Sequence, residues 1–297
     1  MFKSKAMAWW SATIFLFPIP LIAQDGLRFQ PSGSTWRHDY ENESEGRRFY
    51  QNFYEGLRMG LQRSDLTLMT ASIILEQQDK WQGWSLPPSQ LDRSLSSELA
   101  RSDGKGCLGA ISPLYYPRAV ATFRLGGVLM LDAVGGQDFS PTTYFKLIRF
   151  HQALLYNATF THLAKRNLSR SRPDGTDTQS FFSGHASTVF ATSTFLYLEL
   201  RDYFSNAAAE GKLPLLSEQN WKRLSGCALF GWAAYVGYSR VHDRKHYPTD
   251  VLVGALSGTL ISYFAYPHEK RLTYSNPNKL KFGAGLGHNG LALRVDF

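Results

Sequence analysis

Cysteine is nearly absent from this chain: two occur in 297 residues, Cys107 and Cys227. A disulfide-stapled mini-scaffold is thereby excluded, and the fold must rest on a buried core of the size such a length can supply. The pair could form one bridge in an exported protein, or Cys227, set in an apolar run, could be a buried thiol; both readings stand. Long hydrophobic runs are scarce as well. Beyond the N-terminus the longest are Leu224 to Tyr238 and Val251 to Tyr266. Each falls short of the roughly 20 residues that span a bilayer and is interrupted by Gly, Ser or Thr. With a mean hydropathy of −0.26, this speaks against a multispanning protein and for a globule that touches membrane through a surface patch. There is no internal repeat and no nucleic-acid motif. The formal charge of +8 lacks the interleaved basic and aromatic residues of a nucleic-acid binder and points to anionic substrates or an anionic lipid surface. Gly283, Gly285 and Gly287 make no phosphate loop, because no strand–helix context or Lys-Ser/Thr accompanies them.

What is present begins with Lys3 and Lys5 before the apolar run Ala6 to Ile22. This reads as a signal peptide over residues 1–23, with Ala23 as the small residue before the cut, and it implies export to a periplasm or cell envelope. Pro18 and Pro20 oppose a lasting membrane helix; retained, the segment would act as an anchor. Apolar periodicity predicts helices near Arg47–Leu61, Leu66–Gln78, Arg118–Leu131, Thr142–Leu163, Gly184–Phe204, Glu218–Tyr238 and Pro248–Tyr266, an all-α bundle. Trp81 to Cys107 reads as a long loop, a frequent form for a lid, with at most one helical turn. Asn289-Gly290, between Lys279–Gly287 and the alternating Leu291, Leu293, Val295 and Phe297, predicts a C-terminal β-hairpin packed on the bundle. Sequons occur at Asn42, Asn157 and Asn167, the last inside a cation cluster that a glycan would obstruct, which favours a bacterial envelope.

Three clusters carry chemistry. Tyr238 to Asp250 sets Arg240, His246 and Asp250 at spacings that suit a histidine nucleophile attacking phosphorus. Pro248 fits the first turn of a helix, so the Asp250 carboxylate could turn back to the imidazole, fix its tautomer and leave the other nitrogen as nucleophile. Arg240 offers a planar fork for phosphate oxygens. Upstream, Ser183-Gly184-His185 leads into an apolar helical run. Ser183 as N-cap, Gly184 as a point of close backbone approach and the helix dipole together favour an anion, with His185 placed to trade protons with it. Third, Lys165, Arg166, Arg170 and Arg172 put four cations in eight positions, which need an anionic partner or open water. Singly these clusters also suit solvated loops and an ordinary capped helix. Their order along one chain is what gives them weight.

As a set they resemble the type-2 phosphatidic acid phosphatases, which share fold and site with vanadium-dependent haloperoxidases and bacterial class A acid phosphatases. Lys165 to Pro173 matches Lys-x6-Arg-Pro, Ser183-Gly184-His185 the second block, and Ser239-Arg240 through His246 to Asp250 the block Ser-Arg-x5-His-x3-Asp. Phe182 replaces the common proline, as in the lipid phosphate phosphatase branch, to which the surroundings look closest. The resemblance covers roughly Ala119 to Tyr266. It implies a helical bundle of the acid phosphatase/haloperoxidase type and a metal-independent phosphatase acting on phosphomonoesters, lipid phosphates or polyprenyl diphosphates above all. His246 would form a phosphohistidine, Asp250 orient it, and His185 protonate the leaving group and then activate water. Lys165, Arg172, Ser183, Gly184 and Arg240 would hold the phosphate. No metal or cofactor is implied, and vanadate would enter as an inhibitor or, in a haloperoxidase, as the cofactor. A non-catalytic envelope protein is the third reading. The implied organisation is an N-terminal helical and loop region at 24–117 over the site, a catalytic core at 118–268 and a tail at 269–297.

Overall fold

The computed structural model describes residues 45–61, 63–77, 83–100, 116–117, 119–120, 122–124, 126–127, 141–213, 215–267, 281–287 and 290–296. The expected signal peptide, Asn42 and Cys107 lie outside them. The described elements are α1 (Glu45–Gly60), α2 (Arg63–Gln77), β1 (Trp84–Ser85), α3 (Gln90–Glu98), α4 (Pro141–Asn167), β2 (Leu168–Ser169), α5 (Gly184–Ala209), α6 (Glu218–His242), α7 (Pro248–Ala265), β3 (Lys281–Gly287) and β4 (Gly290–Asp296). Helices thus dominate, as the periodicity predicts, and residues 116–117, 119–120, 122–124 and 126–127 are helical as well. Among the described residues no helix is long and apolar enough to cross a membrane.

Six of the seven predicted helices form within about five residues of their expected bounds, with two informative differences, and the bounds of the seventh, Arg118–Leu131, lie outside the described residues. α4 runs on to Asn167 and α6 to His242, so Lys165 and Arg240 sit in last helical turns and not in loops. Cations there oppose the negative end of the helix dipole, which sustains the extra turns. Residues 83–100, within the expected loop, also hold more order than a loop. Ser89 and Asp92 close a reciprocal capping box that starts the nine-residue α3. The C-terminal hairpin forms as expected, β3 pairing antiparallel with β4 from Lys281↔Asp296 to Gly287↔Gly290.

α5 is central. Phe150 and Ala153 of α4, Phe195 and Leu198 of α5 and Tyr266 make one buried cluster, and Val189 of α5 with Ala233 and Val236 of α6 another. α7 lies on α5 with the backbones nearly touching. A Cβ added at Gly254 would stand 2.6 Å from the Ser183 carbonyl oxygen and one at Gly258 2.0 Å from that of Ser187. Only glycine permits this approach. The core between α4 and α5 is partly polar: the Ser187 hydroxyl donates to Asn157 Oδ1 at 2.5 Å. Asn157 is therefore inside the bundle, and its sequon is closed to a glycan in the folded protein. Cys227 is an exposed free thiol on α6, which overturns the buried-thiol reading; its small side chain faces outward from a helix that buries Ala233 and Val236 instead.

Candidate active site

The two glycine contacts bring the starts of α5 and α7 together. Ser183 caps α5, its hydroxyl accepting from the Ala186 amide at 3.4 Å, and its own amide donates to the Asp250 carbonyl at 3.0 Å. α7 opens on Pro248 at a position where a missing N–H is harmless. Between α6 and α7, the amides of Lys245 and His246 donate to the Arg240 carbonyl at 3.0 and 3.1 Å, curling His246 back over the end of α6. The segment from Arg170 to Ser183 folds across both junctions.

His246 is buried, and its Nδ1 lies 2.7 Å from the Ser180 carbonyl oxygen. A carbonyl only accepts, so Nδ1 carries the proton and Nε2 keeps a free lone pair. Asp250 was expected to make this contact. Its carboxylate instead stands 4.0 Å from Nδ1, beyond hydrogen-bond reach. Both of its oxygens are engaged elsewhere: Oδ1 accepts from Arg170 Nη1 at 2.5 Å, and Oδ2 from the Ser180 hydroxyl at 2.5 Å and the Tyr247 amide at 3.0 Å. Asp250 thus acts on the ring through Ser180.

The cations converge from three elements. Lys165 passes Gly184 so closely that a Cβ there would lie 4.0 Å from its Cε, and its ammonium donates to the Gln179 carbonyl at 2.7 Å. Arg172 pairs with Asp177 at 2.7 Å, and Arg240 with Asp243 at 2.5 Å. Among the described residues the Nε–H of buried Arg240 has no acceptor. Burial, then Lys165 and Arg172, hold the His246 imidazole well below its usual range. Burial, then Arg240, Lys165 and Arg172, push His185 down to about 4. Two neutral imidazoles therefore stand beside one cluster of cations. All eight residues singled out in the sequence lie in or against it.

Three participants were missed. Arg170, counted among the solvated or phosphate-binding cations, turns inward to Asp250 and Asp92. Ser180 stood next to the second block without a role. Asp92 lay in an apparent loop, although Ser89-x-x-Asp92 carries the capping-box pattern.

Burial, then Arg172, lowers Lys165 to about 8, against the opposing pull of Asp177 and Asp250. It is charged below that value and neutral above, so anion binding weakens as pH rises through about 8. Sulfate, whose charge is constant over this range, is expected to lose roughly 10- to 30-fold in affinity between pH 7 and 9.5, as the charged fraction of Lys165 falls. Calorimetric titration checks this, and Lys165→Met should flatten the dependence. A wild-type profile already flat would remove Lys165 from the anion site.

Residues 137–274 match the model of the PAP2 superfamily. Over 102 residues, 34% of this chain, the sequence is 32% identical to a lipid A 1-phosphatase of Porphyromonas gingivalis, 19% of which is covered. It is 39% identical over 99 residues to lipid phosphate phosphatase 1 of Arabidopsis thaliana, covering 33% of this chain and 27% of that one. The chain thus spans less than a third of either relative's length. The crystal structure of a transmembrane PAP2-type phosphatidylglycerolphosphate phosphatase from Bacillus subtilis aligns over 78% of this chain and 98% of its own, at 16% identity and a TM-score of 0.39.

Proposed function

We propose that this protein, whose residues 137–274 match the model of the PAP2 superfamily, is a phosphatase that removes phosphate from phosphorylated lipids through a phosphohistidine on His246. The observation that carries the reading is the His246 ring, locked by Ser180 with Nε2 unprotonated and facing cations. Nε2 attacks phosphorus as the P–O ester bond breaks, and the departing oxygen takes its electron pair and a proton from His185. Water, deprotonated by His185, then attacks phosphorus; the P–N bond breaks, and its electrons return to Nε2. Lys165, Arg172 and Arg240 hold the phosphoryl oxygens with the Ser183 hydroxyl and Gly184 amide, since charge stabilisation and positioning dominate such transfers. His185 needs a proton for the first step. Burial, then three cations, push it down to about 4, and an arriving phosphate anion offsets the cations and so raises it on binding.

A lipid substrate is favoured by what lies beside the site. Tyr156, Phe160 and Leu163 of α4 and Val253, Leu256 and Leu260 of α7 line an open, almost wholly apolar cavity of about 520 Å³. These are the helices that carry Lys165 and Asp250. Leu252, Leu256 and Phe264 on α7 are 67%, 60% and 61% exposed, a face suited to an acyl chain and to a membrane surface at the cell envelope.

The test is phosphate release in excess chelator from detergent-dispersed phosphatidic acid and from a soluble phosphomonoester. Turnover without metal, and faster on the lipid, is the expected result. Leu260→Glu should lower the lipid-to-soluble ratio about tenfold, as a buried charge beside an acyl chain would. No hydrolysis of either substrate, with vanadate-dependent bromide oxidation in its place, would replace the phosphatase by a haloperoxidase.

A further inference from the structure

Arg170 is 4% exposed and makes three side-chain hydrogen bonds, to Thr249, Asp250 and Asp92. Nη1 donates to Asp250 Oδ1 at 2.5 Å and to the Thr249 hydroxyl at 2.9 Å, and Nη2 donates to Asp92 Oδ2 at 2.5 Å. The guanidinium also lies over the Tyr247 ring, 4.8 Å from its centroid. Through its backbone Arg170 holds the same loop again, its carbonyl accepting from the Ser180 amide at 3.0 Å. Asp92 comes from α3, outside the residues 137–274 that match the superfamily. It reaches the start of α7, accepting from the Thr249 amide at 3.2 Å and hydroxyl at 3.0 Å. Burial pushes Asp92 up, but the bonds from Thr249, Ser89 and Arg170 more than offset this and hold it ionised.

One guanidinium is therefore shared by two buried carboxylates, an arrangement with a large desolvation penalty. A packing role alone would be met as well by apolar side chains. What this arrangement does have is direction, since each bond fixes the next group on the way to His246.

We propose that Asp92 and Arg170 form a positioning clamp: Asp92 holds the guanidinium, the guanidinium holds Asp250, and Asp250 holds Ser180, whose carbonyl sets the tautomer and angle of the His246 ring. The clamp rests on the reading of His246 as nucleophile. It makes α3, a segment beyond the superfamily core, necessary for an active ring. Outer groups that orient a metal-ligating imidazole are typically worth about 10- to 100-fold, and an effect of the same size is expected for one that orients His246.

The test uses the full chain with ring-¹⁵N histidine and the variants Asp92→Asn, Arg170→Gln and Arg170→Lys. Asp92→Asn is nearly isosteric and keeps the fold available should Arg170→Gln be unstable. In wild type the His246 signal is expected to be that of the Nδ1–H tautomer. In Arg170→Gln the tautomers should mix, and kcat per folded molecule should fall about 100-fold while sulfate affinity stays within about threefold. Arg170→Lys should restore part of the rate. His246 is faced by Lys165 from α4, Arg172 from the loop after β2, His185 from α5 and Asp250 from α7, with Arg240 of α6 acting on His185. Against that fixed background, losing the Arg170 cation should raise the His246 titration midpoint, and losing the Asp92 anion should lower it. A merely structural pair would move neither in opposite senses. Unchanged tautomer, midpoint and kcat in the Asp92 and Arg170 variants of an active enzyme would overturn the clamp. Altered ring signals in a protein that never releases phosphate would keep the clamp and overturn the proposed function.

Discussion

His246→Ala is expected to reduce phosphate release by a factor of roughly 10⁴ or more while the protein stays folded. The size follows from the role, because a covalent route has no substitute once its nucleophile is gone. Binding and charge stabilisation by Lys165, Arg172 and Arg240 remain, so sulfate or phosphate affinity should change little. The imidazole gives the fold one hydrogen bond, to the Ser180 carbonyl, so a loss of about 1 to 3 kcal/mol is the structural consequence to separate from the kinetic one. The measurement is single-turnover phosphate release, with acid-labile ³²P on the protein trapped from wild type only. Residual activity above about one part in a hundred would take the phosphohistidine away from His246, since even general acid–base groups are worth roughly 10² or more.

Asp250→Asn combines a kinetic loss with a structural one and should be the most damaging isosteric change in the chain. The carboxylate is wholly buried and accepts from Arg170, from the Ser180 hydroxyl and from the Tyr247 amide. An amide offers only one acceptor atom. Its NH₂ must face either Arg170 or Ser180 and Tyr247, donor against donor, and Arg170 is left with Asp92 as its single charged partner. Removing one member of a buried ion pair costs about 3 to 5 kcal/mol. For a chain of this size that is a fall in melting temperature on the order of 10 °C. Because Asp250 acts on His246 through Ser180, turnover should fall as well, by about 10² to 10⁴ per folded molecule, the upper figure being the loss in a serine-protease triad whose carboxylate becomes an amide. Calorimetry and kcat on the folded fraction separate the two losses. A melting temperature within about 2 °C of wild type would mean that the network seen around Asp250 is not what holds the junction.

The frame of this site was legible because its signals are local. Ser183 as a cap, Pro248 as a first-turn residue and the apolar periods of α4 to α7 act over one or two helical turns, and each was readable without knowing its neighbours. The charges gathering in one cluster could be anticipated as well, since their repulsion needs a common anion. What could not be read was the direction of the hydrogen bonds. Asp250 is four residues from His246, a spacing that brings the groups near but does not say which acceptor Nδ1 takes. Ser180, 66 positions away, wins because the loop from Arg170 crosses the junction. Arg170 looked like its neighbours Arg166 and Arg172 in sequence, and only the fold separates one that turns to Asp250 from one that donates to the Leu75 carbonyl. Asp92, 157 positions before Thr249, carried a local capping pattern and no hint of its distant partner.

The glycine seam between α5 and α7 works as a ruler. Because Gly258 meets the Ser187 carbonyl backbone to backbone, the gap between the helix that bears His185 and the one that follows His246 is set by main-chain thickness, a quantity mutation cannot alter. Side chains elsewhere in the bundle can be exchanged for others of different volume without stretching that gap. The spacing between His185 and His246 is in this way insulated from drift in the core, and a designer could rebuild most of the interior while keeping the calibration, provided the two glycines stay.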